Sequence, residues 1–264
     1  MLRLSKETEY GIVLLRLFLV GAEPGVRSAR DLATESSLPL PTVARILKRL
    51  AKHGILISHR GTHGGYEAAG DCRPPASPNA SYHSSYYGDP AYDDYPVIFD
   101  NWFDADAFCQ WRRGRLPSEA EWEKAAGFDA VEGVRTLYPW GDVFDGTRLN
   151  YCDKNCPREH RDGSVDDGHQ DTAPVGSYLD GRSSLGIYDM SGNVMEWVGD
   201  WYDPQFYQGS TDTNPLGPVE GQFKSIRGGS WLSAADETTV TIRDSFDPLV
   251  ARTNLGFRCA MTPP

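Results

Sequence analysis

The chain changes character near residue 70. Residues 1–70 carry ten Lys/Arg against six Asp/Glu, a formal +4, whereas residues 71–264 carry sixteen against thirty-one, a formal −15. All seven tryptophans fall in the second part. The first stretch is basic, aliphatic and helical in pattern; the second is acidic, aromatic and rich in glycine and turns. One core does not accommodate both styles, so the seam predicts two modules with different partners. A length of 264 residues leaves room for both. The overall charge of −11 argues against nucleic acid for the whole but not for the first seventy residues.

In the first module, Lys6 to Val20 sets Tyr10, Val13, Leu14, Leu17 and Phe18 at helical spacing, and Gly21 to Gly25 breaks the pattern. Ser28 is placed to cap a short helix over Ala29 to Glu35, with Asp31 in its first turn. Ser36 to Leu40 reads as a turn. Pro41 suits the first position of the next helix, Pro41 to His53, and Gly54 ends it. That helix buries Val43, Ile46, Leu47 and Leu50 and displays Thr42, Arg45, Lys48, Arg49 and Lys52. Ile55 to Ser58 and Tyr66 to Ala68 read as strands around a Gly61 to Gly65 loop. Helix, turn, basic helix and glycine-tipped hairpin form a winged helix-turn-helix, whose partner is DNA. Thr42 and Arg45 are placed for base edges. Lys48, Arg49 and Lys52 are placed for phosphates, and Arg60 and His63 for an adjacent minor groove. Asp71 to Ser85, rich in Pro, Ser and Asn, reads as a linker. The expected domains are therefore 1–70 and 86–264.

The segments MLRLSKETEYGIVLL, SARDLATESSLPLPTVARILKRL and GILISHRGTHGGYEAA resemble the start of Rrf2-family transcriptional regulators, most closely the branch regulating SUF iron–sulfur assembly. Family members continue with a cysteine-bearing loop and a long dimerisation helix. Here Cys72 stands alone, so the comparison carries no iron–sulfur cluster over to this chain.

From residue 86 the pattern is α+β with much irregular backbone. Asp104 to Arg112 puts Ala105, Phe108, Cys109 and Trp111 on one apolar face. Ser118 and Glu121 have capping-box spacing ahead of a helix over Glu119 to Ala126, whose buried side is Trp122, Ala125 and Ala126. After Gly127 only loops and short strands are expected, and such backbone needs side-chain or cation partners for its polar groups. Five cysteines are too few for a disulfide scaffold. Cys152 and Cys156 invite a metal or redox role, but no second Cys/His pair completes zinc spacing, and structural or free thiols are the simpler reading. No run of about 18 apolar residues predicts a membrane span, and no signal peptide is evident, so the cytoplasm is the expected compartment.

The motifs YYGDPAYDDYPV, WFDADAFCQW, GRLPSEAEWEKAA, YPWGD, DTAPVGSY, GIYDMSGNVMEWVGDWY, RGGSW and NLGFRCA resemble the formylglycine-generating-enzyme/sulfatase-modifying-factor family. That resemblance implies a variant C-type-lectin-like fold over about residues 82–262, without the family's usual opening strands. It also implies two calcium sites: Asn150, Tyr151, Asp167 and His169, then Asp189, Met190, Gly192 and Val194. Tyr151, His169, Met190, Gly192 and Val194 would act through carbonyl oxygens, which suit a hard cation. Oxidising members bind copper through two cysteines after GGS(W/Y), and soft thiolates are what copper(I) requires. Here Ser233 stands at the first position and the next cysteine is Cys259, read as a buried small hydrophobe. Neither copper nor formylglycine generation is expected, and no other catalytic set replaces them.

Between the fixed frames RGGSW and NLGFRCA the residues are idiosyncratic, as on the ligand face of retroelement-diversified variable proteins. Trp231, Ser233, Asp236, Arg243 and Phe246 are the candidate ligand contacts. The leading expectation is an Rrf2-like DNA-binding head joined to a non-catalytic, calcium-stabilised module that binds an unidentified protein or small ligand. The alternatives are a modifying oxidase, a variable-type binder, and a chimeric product in which both families are cut at the seam.

Overall fold

A computed structural model describes residues 10–11, 13–15, 17–18, 26–52, 55–59, 65–68, 86, 90–209 and 213–261. The chain divides into two compact units, one of residues 1–76 with 110–113 and the other of residues 77–109 with 114–264. The linker, Cys72, Arg60 and His63 lie outside the described residues.

In the N-terminal unit the described residues between 10 and 18 are helical. Helix α1 spans Ala29–Ser36. The Ser28 hydroxyl accepts the Asp31 N–H as its cap, and Ser37 closes it at φ 56°. Helix α2, Leu40–Lys52, starts one residue before the proline expected to open it. Val43, Ile46, Leu47 and Leu50 are buried on α2, with Leu14 and Leu32 completing the aliphatic core. Strand β1, Leu56–His59, pairs antiparallel with β2, Gly65–Ala68. Arg27 pairs with the other edge of β2 as a single rung, exchanging both backbone bonds with Tyr66 at 2.8 and 2.9 Å. Glycine is required beside that rung, because a Cβ at Gly65 would lie 2.4 Å from the Arg27 carbonyl oxygen.

The C-terminal unit opens with α3, Trp102–Trp111, capped by Asn101, whose Oδ1 accepts the N–H groups of Phe103 and Asp104. Helix α4, Glu119–Gly127, carries the expected capping box: the Ser118 hydroxyl accepts the Glu121 N–H, and Glu121 accepts the Ser118 N–H. A two-residue hairpin follows, β3 Phe128–Asp129 with β4 Val134–Arg135. The main sheet has the order β7-β6-β5-β8. It is built from β5 Met195–Trp201, β6 Lys224–Arg227, β7 Asp244–Phe246 and β8 Leu255–Phe257. β5 pairs antiparallel with β6 and parallel with β8, and β6 pairs antiparallel with β7. Ala105, Cys109, Leu116, Trp197, Ile226 and Leu255 form one core cluster, and Trp122, Ala126, Met190, Val198 and Val240 a second.

The cysteine expectations need correcting. Cys109 and Cys259 form a disulfide across 150 positions, tying α3 to the chain just beyond β8, so Cys259 is not a free hydrophobe. Cys152 and Cys156 form a second disulfide, four positions apart, so they are neither free thiols nor metal ligands here. Cysteine spacing carries no information about a pairing made by sheet closure. Among the described residues no helix is long and apolar enough to cross a membrane.

Candidate functional site

Helix α2 turns its aliphatic stripe inward, and that sets what faces out. Arg45, Lys48 and Lys52 are exposed, while Thr42 and Arg49 are half-buried. Pro41, Ala44, Arg45, Lys48, Arg49 and Lys52 line one shallow concavity. The helix holds four basic residues and no acidic one, so this face is rich in positive charge of the kind that meets a phosphate backbone.

In the C-terminal unit the residues of the first expected calcium site occupy one loop cluster. Asn150 is buried, its Nδ2 donates to the Asp171 carbonyl at 2.7 Å, and its own carbonyl accepts the Asn193 N–H at 2.8 Å. Its Oδ1 is buried without a donor among the described residues. Tyr151 is buried too; its hydroxyl donates to Asp162 at 2.6 Å and its carbonyl accepts the Asp153 N–H at 2.8 Å. Asp167 accepts the His169 N–H at 2.9 Å and the Tyr178 hydroxyl at 2.8 Å. Burial pushes the Asp167 carboxyl above its ordinary range. Those two bonds pull it back, and the neighbouring Asp153 carboxylate pushes it further up.

The second expected site adjoins the first, since a Cβ at Gly192, which has φ +78°, would lie 2.2 Å from the Asn150 carbonyl oxygen. Met190 and Val194 are buried beside it. Asp189, at φ 57°, accepts the Gly176 N–H at 2.7 Å. Burial raises its carboxyl, against the pull of that N–H and of the Arg258 guanidinium. Arg258 also donates to the Tyr188 and Asp189 carbonyls, each at 3.2 Å. Asp189 thus has a cation beside it already.

Among the described residues no group of three or more His, Cys, Asp and Glu side chains converges, so a metal ion here would rest on amide and carbonyl oxygens as well. The orphaned Asn150 Oδ1 and the carboxylates of buried Asp153 and half-buried Asp167 fit a hard cation in the first loop. The second loop fits one less well because Arg258 occupies its neighbourhood.

The candidate ligand residues do not converge. Trp231 is buried. The Arg243 guanidinium is bound by both oxygens of buried Glu119, at 2.6 and 2.9 Å, and lies over the Tyr202 and Tyr207 rings. Arg227 pairs with the same Glu119 and with Glu123. Phe246, in β7, lies under the Arg252 guanidinium. Ser233 and Asp236 remain at the surface, half-buried and exposed respectively. The Ser233 hydroxyl accepts the Ser230 N–H at 3.2 Å, and its carbonyl accepts the Cys152 N–H at 3.0 Å. Sequence reasoning passed over Asp153, whose only signal is an Asp two residues before Asn155 in a tight Asx turn.

A helix-turn-helix with its hairpin, and an irregular α+β module closed by a four-stranded sheet, define a regulator-type head carried with a C-type-lectin-like domain. The model of the sulfatase-modifying factor enzyme 1-like domain matches residues 62–263, and the chain belongs to that family. A model of Rrf2, an iron-dependent transcriptional regulator, matches residues 4–73. The chain is 39% identical over 169 residues to the formylglycine-generating enzyme of Streptomyces coelicolor, covering 63% of this chain and 52% of that one. It is 38% identical over 174 residues to the serine/threonine-protein kinase Pkn1 of Chlamydia trachomatis, covering 65% and 25%. It is 36% identical over 172 residues to the inactive C-alpha-formylglycine-generating enzyme 2 of Mus musculus, covering 62% and 48%. The chain thus spans between a quarter and about half of the length of these relatives. PvdO from Pseudomonas aeruginosa shares the fold at a TM-score of 0.53 and 23% identity, over 82% of this chain and 74% of that one. Treponema denticola variable protein 1 does so at 0.50 and 23%, over 70% and 78%.

Proposed function

We propose that the chain is a DNA-binding regulator whose C-terminal module binds a ligand without catalysing its modification. The observation that carries this is the acid-free basic face of α2, laid over an aliphatic core of the kind a recognition helix needs. In this reading Arg45 and Thr42 meet base edges, and Lys48, Arg49 and Lys52 meet phosphates, with Arg60 and His63, which fall between β1 and β2 in sequence, assisting. DNA as a partner places the work in the cytoplasm. Fluorescence anisotropy of the full chain with duplex DNA tests it: affinity should fall steeply as salt rises, and absence of salt-dependent binding removes the reading.

For the module, Ser233 stands where the oxidising enzymes carry a copper-binding thiol, and a hydroxyl cannot replace that thiolate as a copper(I) ligand. Similarity to a relative described as inactive supports a non-catalytic role. Ser233 and Asp236 are the surface contacts offered to the ligand, with Trp231, Arg243 and Phe246 supporting the segment beneath. Asn150, Asp167 and the carbonyls of Tyr151 and His169 would hold a calcium ion, which would neutralise buried carboxylate charge and fix the loop. The set at Asp189, Met190, Gly192 and Val194 is the weaker candidate. A melting temperature that rises with calcium and falls with chelator is the expected result; a melting curve indifferent to both removes the calcium site.

A further inference from the structure

The loop that carries the orphaned Asn150 oxygen also carries a carboxylate that the family comparison does not use. Asp153 is fully buried. Its Oδ1 accepts the Asn155 N–H at 2.7 Å, and its Oδ2 accepts the Asn155 Nδ2 at 3.1 Å and the Asp167 N–H at 2.7 Å. All three donors are neutral amides. The nearby Lys154 ammonium pairs instead with Asp166. Buried Asp153 and half-buried Asp167 are therefore neighbouring carboxylates, each bonded only to uncharged donors among the contacts described. Burying two like charges together is costly unless a cation joins them.

The segment around Asp153 is closed on itself. Cys152 and Cys156 flank it and are joined, four positions apart. So small a ring restricts the unfolded chain far less than the Cys109–Cys259 bond, which spans 150 positions. Its effect is local: it holds the turn from which the Asp153 carboxylate is presented to Asp167. The same ring donates the Cys152 N–H to the Ser233 carbonyl.

We propose that Asp153 is a further ligand of the hard cation held by Asn150 and Asp167, and that the Cys152–Cys156 disulfide sets the affinity of that site. The inference rests on the cation reading of the loop given above. Reduction by an external dithiol breaks the Cys152–Cys156 bond. The pair gains two electrons and two protons to give two thiols, and the dithiol becomes its own disulfide. With the ring open, Asp153 loses its fixed position and the cation leaves more readily. A DNA-reading protein works among thiol reductants, so this ring would make cation occupancy follow the thiol pool. The contact to Ser233 would carry the change to the ligand face.

The test is calcium titration by calorimetry on the full chain, with Asp153→Asn and the double variant Cys152→Ala/Cys156→Ala. Near-ultraviolet circular dichroism checks that each variant is folded. Asp153→Asn should weaken calcium by about tenfold or more, the double variant should weaken it in the same direction, and combining them should add little. A second measurement needs no variant. Because coupling is reciprocal, calcium should slow dithiol reduction of Cys152 and Cys156, read as alkylated peptides by mass spectrometry, and leave Cys109 and Cys259 unaffected. Wild-type affinity in Asp153→Asn or in the double variant, or reduction at the same rate with and without calcium, overturns the proposal and leaves the calcium reading standing. A folded wild-type chain that binds no calcium overturns both.

Discussion

Asp100 is a carboxyl group placed where a carboxylate should not be. It is buried, and neither oxygen has a hydrogen-bond partner from another of the described residues. Burial pushes its carboxyl well above the ordinary range; its own backbone N–H pulls back, and Asp104 adds to the rise. Asp104 is itself pushed up to about 6, chiefly by burial. A raised carboxyl stabilises the fold below the unfolded value, near pH 4, and that contribution fades as pH climbs to the folded value. Between those limits stability falls by roughly 1.4 kcal/mol per pH unit for each such group. Asp100→Asn should therefore flatten the loss of stability as pH rises above about 4 and raise the melting temperature at neutral pH relative to the parent. Equal slopes in the two proteins would contradict this account. Asp100 was invisible to pattern reading because it sits just before a well-formed helix cap, where an acidic residue looks like ordinary helix-start chemistry.

Elements were more legible than residues. The α2 periodicity of Val43, Ile46, Leu47 and Leu50 reports its buried stripe directly, and the Ser118–Glu121 box marks the start of α4 because both are local. Pro41 proved a second helical residue rather than the first. The short strands of the main sheet carry little pattern of their own: all four residues of β6 are buried, so no alternation marks it. Long-range features left no trace either. The Cys109–Cys259 disulfide, the Glu119–Arg243 pair and the approach of Asp153 to Asp167 join segments that only the tertiary fold brings together. At this scale the basic face gives a quantitative expectation. Lys48→Ala with Lys52→Ala should weaken duplex binding uniformly across sequences and lower the slope of log affinity against log salt by about 2. Arg45→Ala should instead relax sequence preference. Anisotropy across a salt series on several duplexes separates the two behaviours.

On the scale of the whole molecule, the C-terminal unit is closed by its latest elements. β8 adds parallel to β5, and the Cys109–Cys259 bond fastens the same junction. Replacing both cysteines with alanine removes a cross-link over a long loop and should cost about 3–5 kcal/mol, read as a lower urea midpoint. An unchanged midpoint would mean that the bond contributes no stability. The head shows the opposite economy, since its hairpin and helix pair are joined by neighbours in sequence. A chain leaving the ribosome at about 5–20 residues per second therefore exposes the helix pair and hairpin of the head roughly ten seconds or more before residues 255–259 emerge to complete the sheet. Once β5 has emerged, its outer edge stays open for roughly three seconds or more until β8 follows. The Rrf2-type head can thus fold while the sulfatase-modifying-factor-like unit is still the part of the nascent chain that most needs chaperone cover.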